Sequence, residues 1–203
     1  MTGVQTCALP ISTAADSPAR RSAQTALWHL AHALLRWMAP FLSFTAEEAW
    51  ALLAPGAQAS IFTQTYADTA AWADEALLVK WLRIRTMRDE ANRQIELLRG
   101  QGLIGSPLQA ALTISARDGD LEALRSLGDD LKYVFITSQA EAVALVTDDG
   151  PLFLALPRRL DATKCERCWH CRDDVGVDRW RPQLCGRCTD DADLCGGRTR
   201  RVA

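Results

Sequence analysis

The feature that most constrains this chain is a pair of C-x2-C sequences near its end. Cys165 and Cys168 form the first pair, and Cys185 and Cys188 form the second pair after sixteen intervening residues. Two thiolates two residues apart can grip one metal ion from a tight turn, and a second such turn completes a tetrahedron that has no open position. The spacing therefore predicts one structural zinc site formed by all four sulfurs.

Arginine precedes the second cysteine of each pair. Arg167 and Arg187 bring positive charge to a site where four thiolates around a divalent ion leave an excess of negative charge. Gly186 follows the first cysteine of the second pair and relieves that turn of steric strain.

Two further questions about the cysteines stay open at this stage. The alternative to a metal is a set of disulfides or buried thiols, but seven cysteines, an odd number, together with clustered pairs favour a metal in a reducing compartment. Cys171 extends the first pair to C-x2-C-x2-C, so it competes with Cys168 as a ligand, and His170 is another possible substitute. The symmetric set is favoured because both halves then have the same spacing.

Composition sets wider limits. With 203 residues, of which 48% are apolar and 24% are charged, the chain can bury one or two cores and has no apolar stretch long enough to span a membrane. The net charge of -2 argues against a nucleic-acid partner, but this average conceals an asymmetry. Between Arg158 and Arg201 there are eleven Lys and Arg against eight Asp and Glu, so this tail is +3 and the remainder is -5. A basic tail is consistent with a local phosphate contact.

The first part of the chain has a helical period, although residues 1–12 fit no such pattern. From about Ser22, apolar residues recur at steps of three and four and predict an amphipathic helix that ends at Pro40. Its apolar face consists of Leu27, Leu30, Ala31, Leu34, Leu35 and Met38. Thr45 and Glu48 predict a capping box at the start of a second helix.

Residues 57–71 are predicted to form a loop, which Ile61, Phe62 and Tyr66 anchor in the core. A longer helix is predicted from Asp74 to Arg99. Its apolar stripe consists of Leu77, Trp81, Ile84, Ala91, Ile95 and Leu98. The helical spacing of the aromatic residues predicts that Trp28, Trp37, Trp50 and Trp81 belong to the core.

The opposite face of the long helix is charged. Arg85 and Asp89, and then Asp89 and Arg93, have the spacing of i,i+4 ion pairs. We interpret this run as a solvated face that stabilises the helix, with an RNA-facing surface as the alternative.

After Ser106 the period becomes alternating, and Leu108, Ala110, Leu112 and Ile114 predict a strand. A short helix at 120–127 and apolar runs at 133–137, 143–147 and 152–156, with Asp149-Gly150 as a hairpin turn, complete a small mixed α/β unit. The predicted fold is mainly an α-helical bundle, followed by this small mixed α/β unit and a C-terminal four-cysteine zinc finger. The expected divisions are 1–14 for a non-native or disordered segment, 15–105 for the bundle, 106–160 for the α/β unit, and 161–203 for the zinc finger and basic tail.

Several runs of residues resemble one family. RRSAQTALWH at 20–29, WMAP at 37–40, SFTAEEAW at 43–50 and LIGSPL at 103–108 are similar to the anticodon-binding helical bundle of isoleucyl-tRNA synthetases. KCERCWH at 164–170 with CGRC at 185–188 resembles the C-terminal zinc finger of that family. Related branched-chain synthetases share the SFTAEEAW segment, so the finger is what points to the isoleucine enzymes. Their ATP-binding signatures, His-Ile-Gly-His and Lys-Met-Ser-Lys-Ser, are absent from the sequence, so we expect a C-terminal fragment.

The resemblance implies a tRNA-binding role without catalytic residues in this chain, with ATP and magnesium needed only by the full-length enzyme. Arginine forks suit phosphates, and exposed aromatic rings suit unstacked loop bases. The candidate RNA contacts are Arg167, Trp169, Arg172 and Arg187. The expected partner is tRNA, with no DNA and no membrane, and the expected state is a cytoplasmic monomer.

Two other functions are weighed against this one. A DNA-repair glycosylase tail has a zinc finger of very similar spacing, but it requires a catalytic N-terminal proline and a helix-turn-helix ahead of the finger, and neither is visible in this sequence. A free-standing nucleic-acid-binding or protein-binding zinc-finger module is the other alternative.

Overall fold

The computed structural model describes residues 16–54, 60–146 and 152–194, which fall into two compact units. The N-terminal unit ends at Ala73, and the C-terminal unit begins at Asp74. The order predicted from the sequence is confirmed: helices come first, a small mixed sheet follows, and a four-cysteine cluster comes last. The domain boundaries that the sequence predicts at residues 105 and 160 stay predictions.

Among its described residues, the N-terminal unit has two α-helices, α1 (Pro18–Met38) and α2 (Ser43–Leu53), which pack against each other. The first helix begins four residues before the expected Ser22. The Ser17 hydroxyl accepts a hydrogen bond from the backbone N–H of Arg20 at 3.1 Å, and Pro18 occupies a helical position where its missing N–H costs nothing.

The capping box predicted from Thr45 and Glu48 is wrong. Helix α2 begins at Ser43, so Thr45 already lies in its first turn, and no side chain caps its N-terminus. The acidic neighbour Glu47 has a structural role instead. Its carboxylate accepts hydrogen bonds from the Ser60 hydroxyl and the Ile61 backbone N–H, both at 2.9 Å. These bonds hold a short 3-10 helix, Ile61–Thr63, beside α2.

The residues that the structure describes in the N-terminal unit form a small core cluster. Its buried members are Ala39, Ala46, Trp50 and Ile61, with Leu35 and Ala54 packed against them. Trp50 and Ile61 are buried as predicted, but Phe62 and Tyr66 are exposed. A residue next to a buried anchor in a loop need not share its burial, because a loop has no fixed period.

The apolar face predicted for α1 is only partly the buried one. Leu27, Leu30 and Leu34 are exposed, and the buried stripe passes through His32, Ala33 and Ala39. The prediction of Trp28 and Trp37 as core residues is also wrong, since half of each side chain is exposed. Periodicity shows which face of a helix is apolar but does not show which neighbour covers it.

A cluster of aromatic rings lies along α1 around the buried His32. The ring of His32 lies 4.0 Å from that of Trp28 and 5.1 Å from that of Trp50, measured between centroids, and His29 lies 4.8 Å from Trp72. Neither ring nitrogen of His32 has a hydrogen-bond partner among the described residues. Burial, and then the charge of Arg36 and the neighbouring His29, lower the pKa of His32.

The C-terminal unit begins with α3 (Glu75–Gly100), close to the predicted bounds. The Asp74 carboxylate caps it by accepting from the backbone N–H of Leu77 at 2.9 Å. The buried stripe consists of Ile84, Met87, Ala91 and Ile95. Leu77 and Trp81, at the N-terminal end of the predicted stripe, are exposed, so the expectation that Trp81 is a core residue is wrong.

The charged face of α3 pairs differently from the prediction. Arg93 forms an ion pair with Glu90 at 3.1 Å, and Arg99 forms one with Glu96 at 3.0 Å, so the spacing is i,i+3 rather than i,i+4. These pairs are largely solvated and contribute little to stability.

The sheet of the C-terminal unit has the order β2-β1-β3. Strand β1 (Ala110–Ala116) pairs in parallel with β2 (Gln139–Ala144) and antiparallel with β3 (Phe153–Arg159). The sequence predicts a hairpin between the apolar runs at 143–147 and 152–156. This prediction is wrong, because β1 lies between β2 and β3 in the sheet. The Asp149-Gly150 turn lies outside the described residues.

Two helices connect β1 to β2, namely α4 (Asp118–Arg125) and α5 (Leu131–Phe135). A parallel pair requires such a crossover, so the apolar run at 133–137 is used mainly as helix and not as strand. The core between the sheet and the helices includes Ile84, Met87, Leu112, Ile114, Leu124 and Phe135.

The end of the described chain forms a compact module on three short elements. A two-stranded ribbon pairs β4 (Thr163–Lys164) with β5 (Cys171–Arg172), and α6 (Gly186–Leu194) follows. Within the described ranges, no helix is both long and apolar enough to cross a membrane.

Candidate metal centre

The structure brings the sulfurs of Cys165, Cys168, Cys185 and Cys188 together within 4.8 Å of one another, and all four residues are buried. The first two lie on the turn between β4 and β5, and the other two lie at the start of α6. A backbone hydrogen bond from Trp169 to the Cys165 carbonyl, 2.8 Å long, closes the first turn. The Cys185 backbone N–H points at the Cys165 sulfur at 3.4 Å and joins the two turns.

The donor set fits a tetrahedral zinc ion. Zinc–sulfur bonds of about 2.3 Å imply sulfur–sulfur edges of about 3.8 Å in a regular tetrahedron. The sulfurs of Cys168 and Cys185 lie 3.7 Å apart. Hydrogen bonds from the Cys185 and Cys188 thiols lower the pKa of Cys168, and the same contacts raise the pKa of Cys188, so Cys188 has to lose its proton when all four sulfurs bind a metal as thiolates.

The competing ligands are not part of this cluster. The ring nitrogen Nδ1 of His170 lies 3.2 Å from the Cys168 carbonyl oxygen, and burial lowers the pKa of the His170 ring. Burial also raises the pKa of the Cys171 thiol. The Cys171 backbone N–H donates to the Ser138 hydroxyl at 2.7 Å, and this hydroxyl donates to the Leu108 carbonyl at 2.5 Å. Cys171 therefore lies at the junction between the four-cysteine cluster and the three-stranded sheet.

Two of the candidate RNA-binding arginines have partners within the module. Arg167 donates from Nη1 to the Cys188 carbonyl at 2.9 Å. Arg172 forms a two-point contact with Asp174 at 2.7 and 2.8 Å, and Asp174 also accepts from the backbone N–H of Gly186 at 3.2 Å. The hydrogen bonds from Arg172 hold the pKa of Asp174 below its ordinary value. These contacts tie the two turns to each other.

The third arginine, Arg187, points inwards. Its Nη1 donates to the Tyr133 hydroxyl at 2.5 Å, and its guanidinium lies 5.6 Å from the Tyr133 ring centroid. Burial works against its charge, but the Tyr133 oxygen and the sulfurs of Cys168 and Cys188 outweigh burial and raise the pKa of Arg187. The ring of His170 packs edge-on against the same tyrosine at 5.6 Å.

The fourth candidate, Trp169, offers its ring to solvent. The side chain is 39% exposed, and its residue has a left-handed backbone with φ of 65°. The indole N–H donates to the Glu166 carbonyl at 3.0 Å, and the Lys164 ammonium lies 5.0 Å from the ring centroid. A fixed ring with a cation over it suits stacking on a base.

The geometry supports a structural centre rather than a reactive one, because four buried sulfurs fill a tetrahedron without leaving a position for substrate. Sequence reasoning missed Tyr133, Ser138 and Asp174, which position the module. An isolated tyrosine, serine or aspartate has no spacing signal, and only the fold brings these residues to the module.

Comparison with known proteins places the chain in a family. Residues 7–114 match the model described as the anticodon-binding domain of tRNA ligase. An isoleucine–tRNA ligase of Ralstonia pickettii is 51% identical over 195 residues, which cover 95% of this chain and 20% of the relative. Those of Cupriavidus taiwanensis and Paraburkholderia xenovorans are each 50% identical over 193 residues, covering 94% and 95% of this chain and 20% of each relative. The chain thus spans about a fifth of the length of the curated relatives it matches. The chain belongs to the family of the anticodon-binding domain of tRNA ligase.

Proposed function

We propose that this chain binds tRNA as the anticodon-recognising part of an isoleucine–tRNA ligase and carries a structural zinc ion. The observation that carries the proposal is the match of residues 7–114 to the anticodon-binding domain. The similarity to isoleucine enzymes, which extends over 95% of the chain, supports the choice of amino acid. ATP-dependent charging of tRNA with isoleucine belongs to the full-length enzyme.

The zinc proposal rests on the four-sulfur cluster. Cys165, Cys168, Cys185 and Cys188 are the proposed ligands, and the bound ion would hold the two turns together. The cluster links turns seventeen or more residues apart in sequence, as the Cys168–Cys185 pair illustrates. Metal binding at such a site contributes directly to folding free energy, because the unfolded chain has no preformed site.

The proposed RNA surface is small and locally basic on an acidic chain. Trp169 and Lys164 present a ring and a charge together, and the segment from Arg158 to Arg201 carries a charge of +3. The remainder of the chain has a net charge of -5 and repels RNA. The affinity for RNA should therefore be low and should decrease as the salt concentration rises. We expect a dissociation constant of roughly micromolar or weaker, as for small electrostatic interfaces.

The test is a titration of the whole chain, loaded with zinc, against isoleucine tRNA and against the same tRNA with a swapped anticodon, over a range of salt concentrations. We expect tighter binding to the matched anticodon and a linear fall of log K with log salt. Trp169→Ala, which leaves the four sulfurs in place, should weaken binding, and Trp169→Phe should restore part of it. Equal affinity for both tRNAs would contradict anticodon recognition, and no binding of either would contradict the tRNA-binding proposal, whereas the zinc proposal has its own test.

A further inference from the structure

Trp180 is a residue that neither the core nor the metal centre uses. Its side chain is 93% exposed, which is unusual for the largest apolar side chain. It lies in the loop between the two cysteine pairs, between Arg179 and Arg181. Arg179 is exposed as well.

Hydrogen bonds fix the loop around Trp180. The Asp178 carboxylate accepts from the Trp180 backbone N–H at 2.8 Å, and the Asp178 carbonyl accepts from the backbone N–H of Arg181 at 3.3 Å. Nη1 of Arg181 donates to the Thr189 carbonyl on α6 at 3.1 Å, next to the cysteine cluster. The indole is therefore presented to solvent by an anchored backbone, so stacking on it orders little additional chain.

The base of the same loop is closed by a second feature. Gly176 has a left-handed φ of 92°, and its backbone N–H points at the Leu184 carbonyl at 3.4 Å. A Cβ at Gly176 would lie 3.4 Å from the Pro182 carbonyl oxygen. The turn therefore favours glycine through its backbone conformation, and it returns the chain to the second cysteine pair.

The charge around Trp180 distinguishes it from the other highly exposed aromatic residues. Phe41 and Phe44 are exposed to a similar degree, but the segment between them contains the exposed Leu42 and no charged residue. Trp180 has an arginine on each side in the sequence, and the Asp178 carboxylate keeps its negative charge while it accepts from the Trp180 N–H, so two arginines and one aspartate give residues 178–181 a net charge of +1. An exposed indole that is followed and preceded in the sequence by arginine, with Arg179 exposed, suits an unpaired base and its phosphate, because a ring can stack on the base and a guanidinium can bind the phosphate.

We propose that Trp180 is a stacking site for an unpaired RNA nucleobase, and that Arg179 binds the adjacent phosphate. The proposal deepens the tRNA-binding function and rests on it for the source of the base. It adds a contact on the loop between the cysteine pairs, separate in sequence from Trp169.

The experiment uses the whole zinc-loaded chain and two labelled probes, a single-stranded RNA heptamer of mixed sequence and isoleucine tRNA, with binding followed by fluorescence anisotropy. Trp180→Ala should weaken binding of both probes by about 5- to 100-fold, the usual effect of removing a stacked ring, with little change in the salt slope. Trp180→Phe should retain most of the affinity. Arg179→Ala should lower the salt slope by about one.

Val177→Ala is the matched control, because Val177 is an exposed residue of the same loop without a ring or a charge. It should bind like the unchanged chain. Zinc content and thermal midpoint should be the same for all variants, which keeps a binding loss separate from a folding loss.

The outcomes separate this inference from the proposed function. If the unchanged chain binds tRNA with anticodon preference and Trp180→Ala binds equally well, the stacking site is refuted and the proposed function stands. If Trp180→Ala weakens heptamer binding while the chain does not distinguish the two anticodons, the stacking site stands and anticodon recognition fails. If the chain binds neither probe, both proposals are refuted.

Discussion

Arg187 donates a hydrogen bond to the hydroxyl of Tyr133 at 2.5 Å, which connects the second cysteine pair to helix α5 across 54 residues of sequence. The remaining nitrogens of this guanidinium, Nε and Nη2, are buried and have no hydrogen-bond partner among the described residues. The tyrosine oxygen is therefore the oxygen acceptor of a half-buried cation, which the sulfurs of Cys168 and Cys188 also stabilise. Removing a hydrogen-bond partner from a buried charge is costly, because the charge is then less well compensated for its lost hydration.

Removing that acceptor should destabilise the C-terminal unit. Tyr133→Phe keeps the ring beneath the guanidinium but leaves Nη1 without its partner, which should cost about 1–3 kcal/mol of unfolding free energy. Urea unfolding of the zinc-loaded chain measures the loss. Tyr66→Phe is the control, because Tyr66 is exposed and its change should be nearly neutral. Equal unfolding midpoints for the two variants would show that the Tyr133 hydrogen bond contributes nothing measurable to stability.

The metal centre gives a prediction about stoichiometry. The purified chain should contain about one zinc ion per molecule, since four thiolates complete one tetrahedron. Cys185→Ser should lose the metal together with the order of the module, whereas Cys171→Ser should keep it. Elemental analysis and circular dichroism are the measurements. Loss of zinc from Cys171→Ser with retention by Cys168→Ser would mean that the ligand set is different.

Glu47 and Glu48 form a natural pair of variant and control. Glu47→Ala removes the acceptor for the Ser60 hydroxyl and the Ile61 N–H, which should destabilise the N-terminal unit by about 1–2 kcal/mol. Glu48→Ala changes an exposed residue that caps nothing and should have an effect within about 0.5 kcal/mol. Hydrogen exchange at the Ile61 amide reports the local effect. A larger loss of unfolding free energy in Glu48→Ala than in Glu47→Ala would support the capping box that the sequence predicts.

The buried His32 gives a prediction about pH. Its lowered pKa means that the unfolded state, with a histidine pKa of about 6.5, binds the proton more readily. This contribution to stability is fully present above about pH 6.5 and is lost as the pH falls through the lowered folded-state pKa. Urea unfolding at pH 7.5 and pH 5.5 should show a smaller acid loss for His32→Phe than for the unchanged chain. Both proteins have the same metal centre, so its own pH dependence cancels, and equal losses would argue against the buried histidine.

Catalysis provides a negative prediction. The chain contains neither nucleotide-binding signature of the synthetases it resembles, so it should show no isoleucine-dependent exchange of pyrophosphate into ATP. A preparation shown to be free of host synthetase is required. Exchange by such a preparation would mean that the chain has an active site of its own.

The metal centre was predictable because its information is local. Two C-x2-C pairs determine which sulfurs can converge, and the structure brings together Cys165 and Cys188 at the ends of that pattern. Helix α3 was similarly predictable, because Asp74 caps it and a regular stripe continues to Ile95. In both cases, residue spacing indicates the result, although Leu77 and Trp81 at the start of the predicted α3 stripe are exposed.

The sequence predictions that were wrong depend on contacts between segments that are far apart in the sequence. The sequence near Asp149 has the composition of a hairpin turn, but strand order depends on the crossover through α4 and α5, which a turn signal does not report. Trp28 and Trp50 share a residue type and helical surroundings, but only Trp50 meets the small core of its unit. Burial is decided by which segments meet, and a helical period carries no information about that.

The Ser138 hydroxyl has a consequence for the order in which this chain can fold. It joins Leu108, thirty residues before it, to Cys171, thirty-three residues after it. Both bonds form only after two long loops have closed, and loop closure of this kind slows folding more than it affects final stability. We therefore expect the ribbon beside the four cysteines to reach its final position late, after the first strand and the crossover are in place, so that uptake of zinc by a refolding chain reports the completion of the sheet.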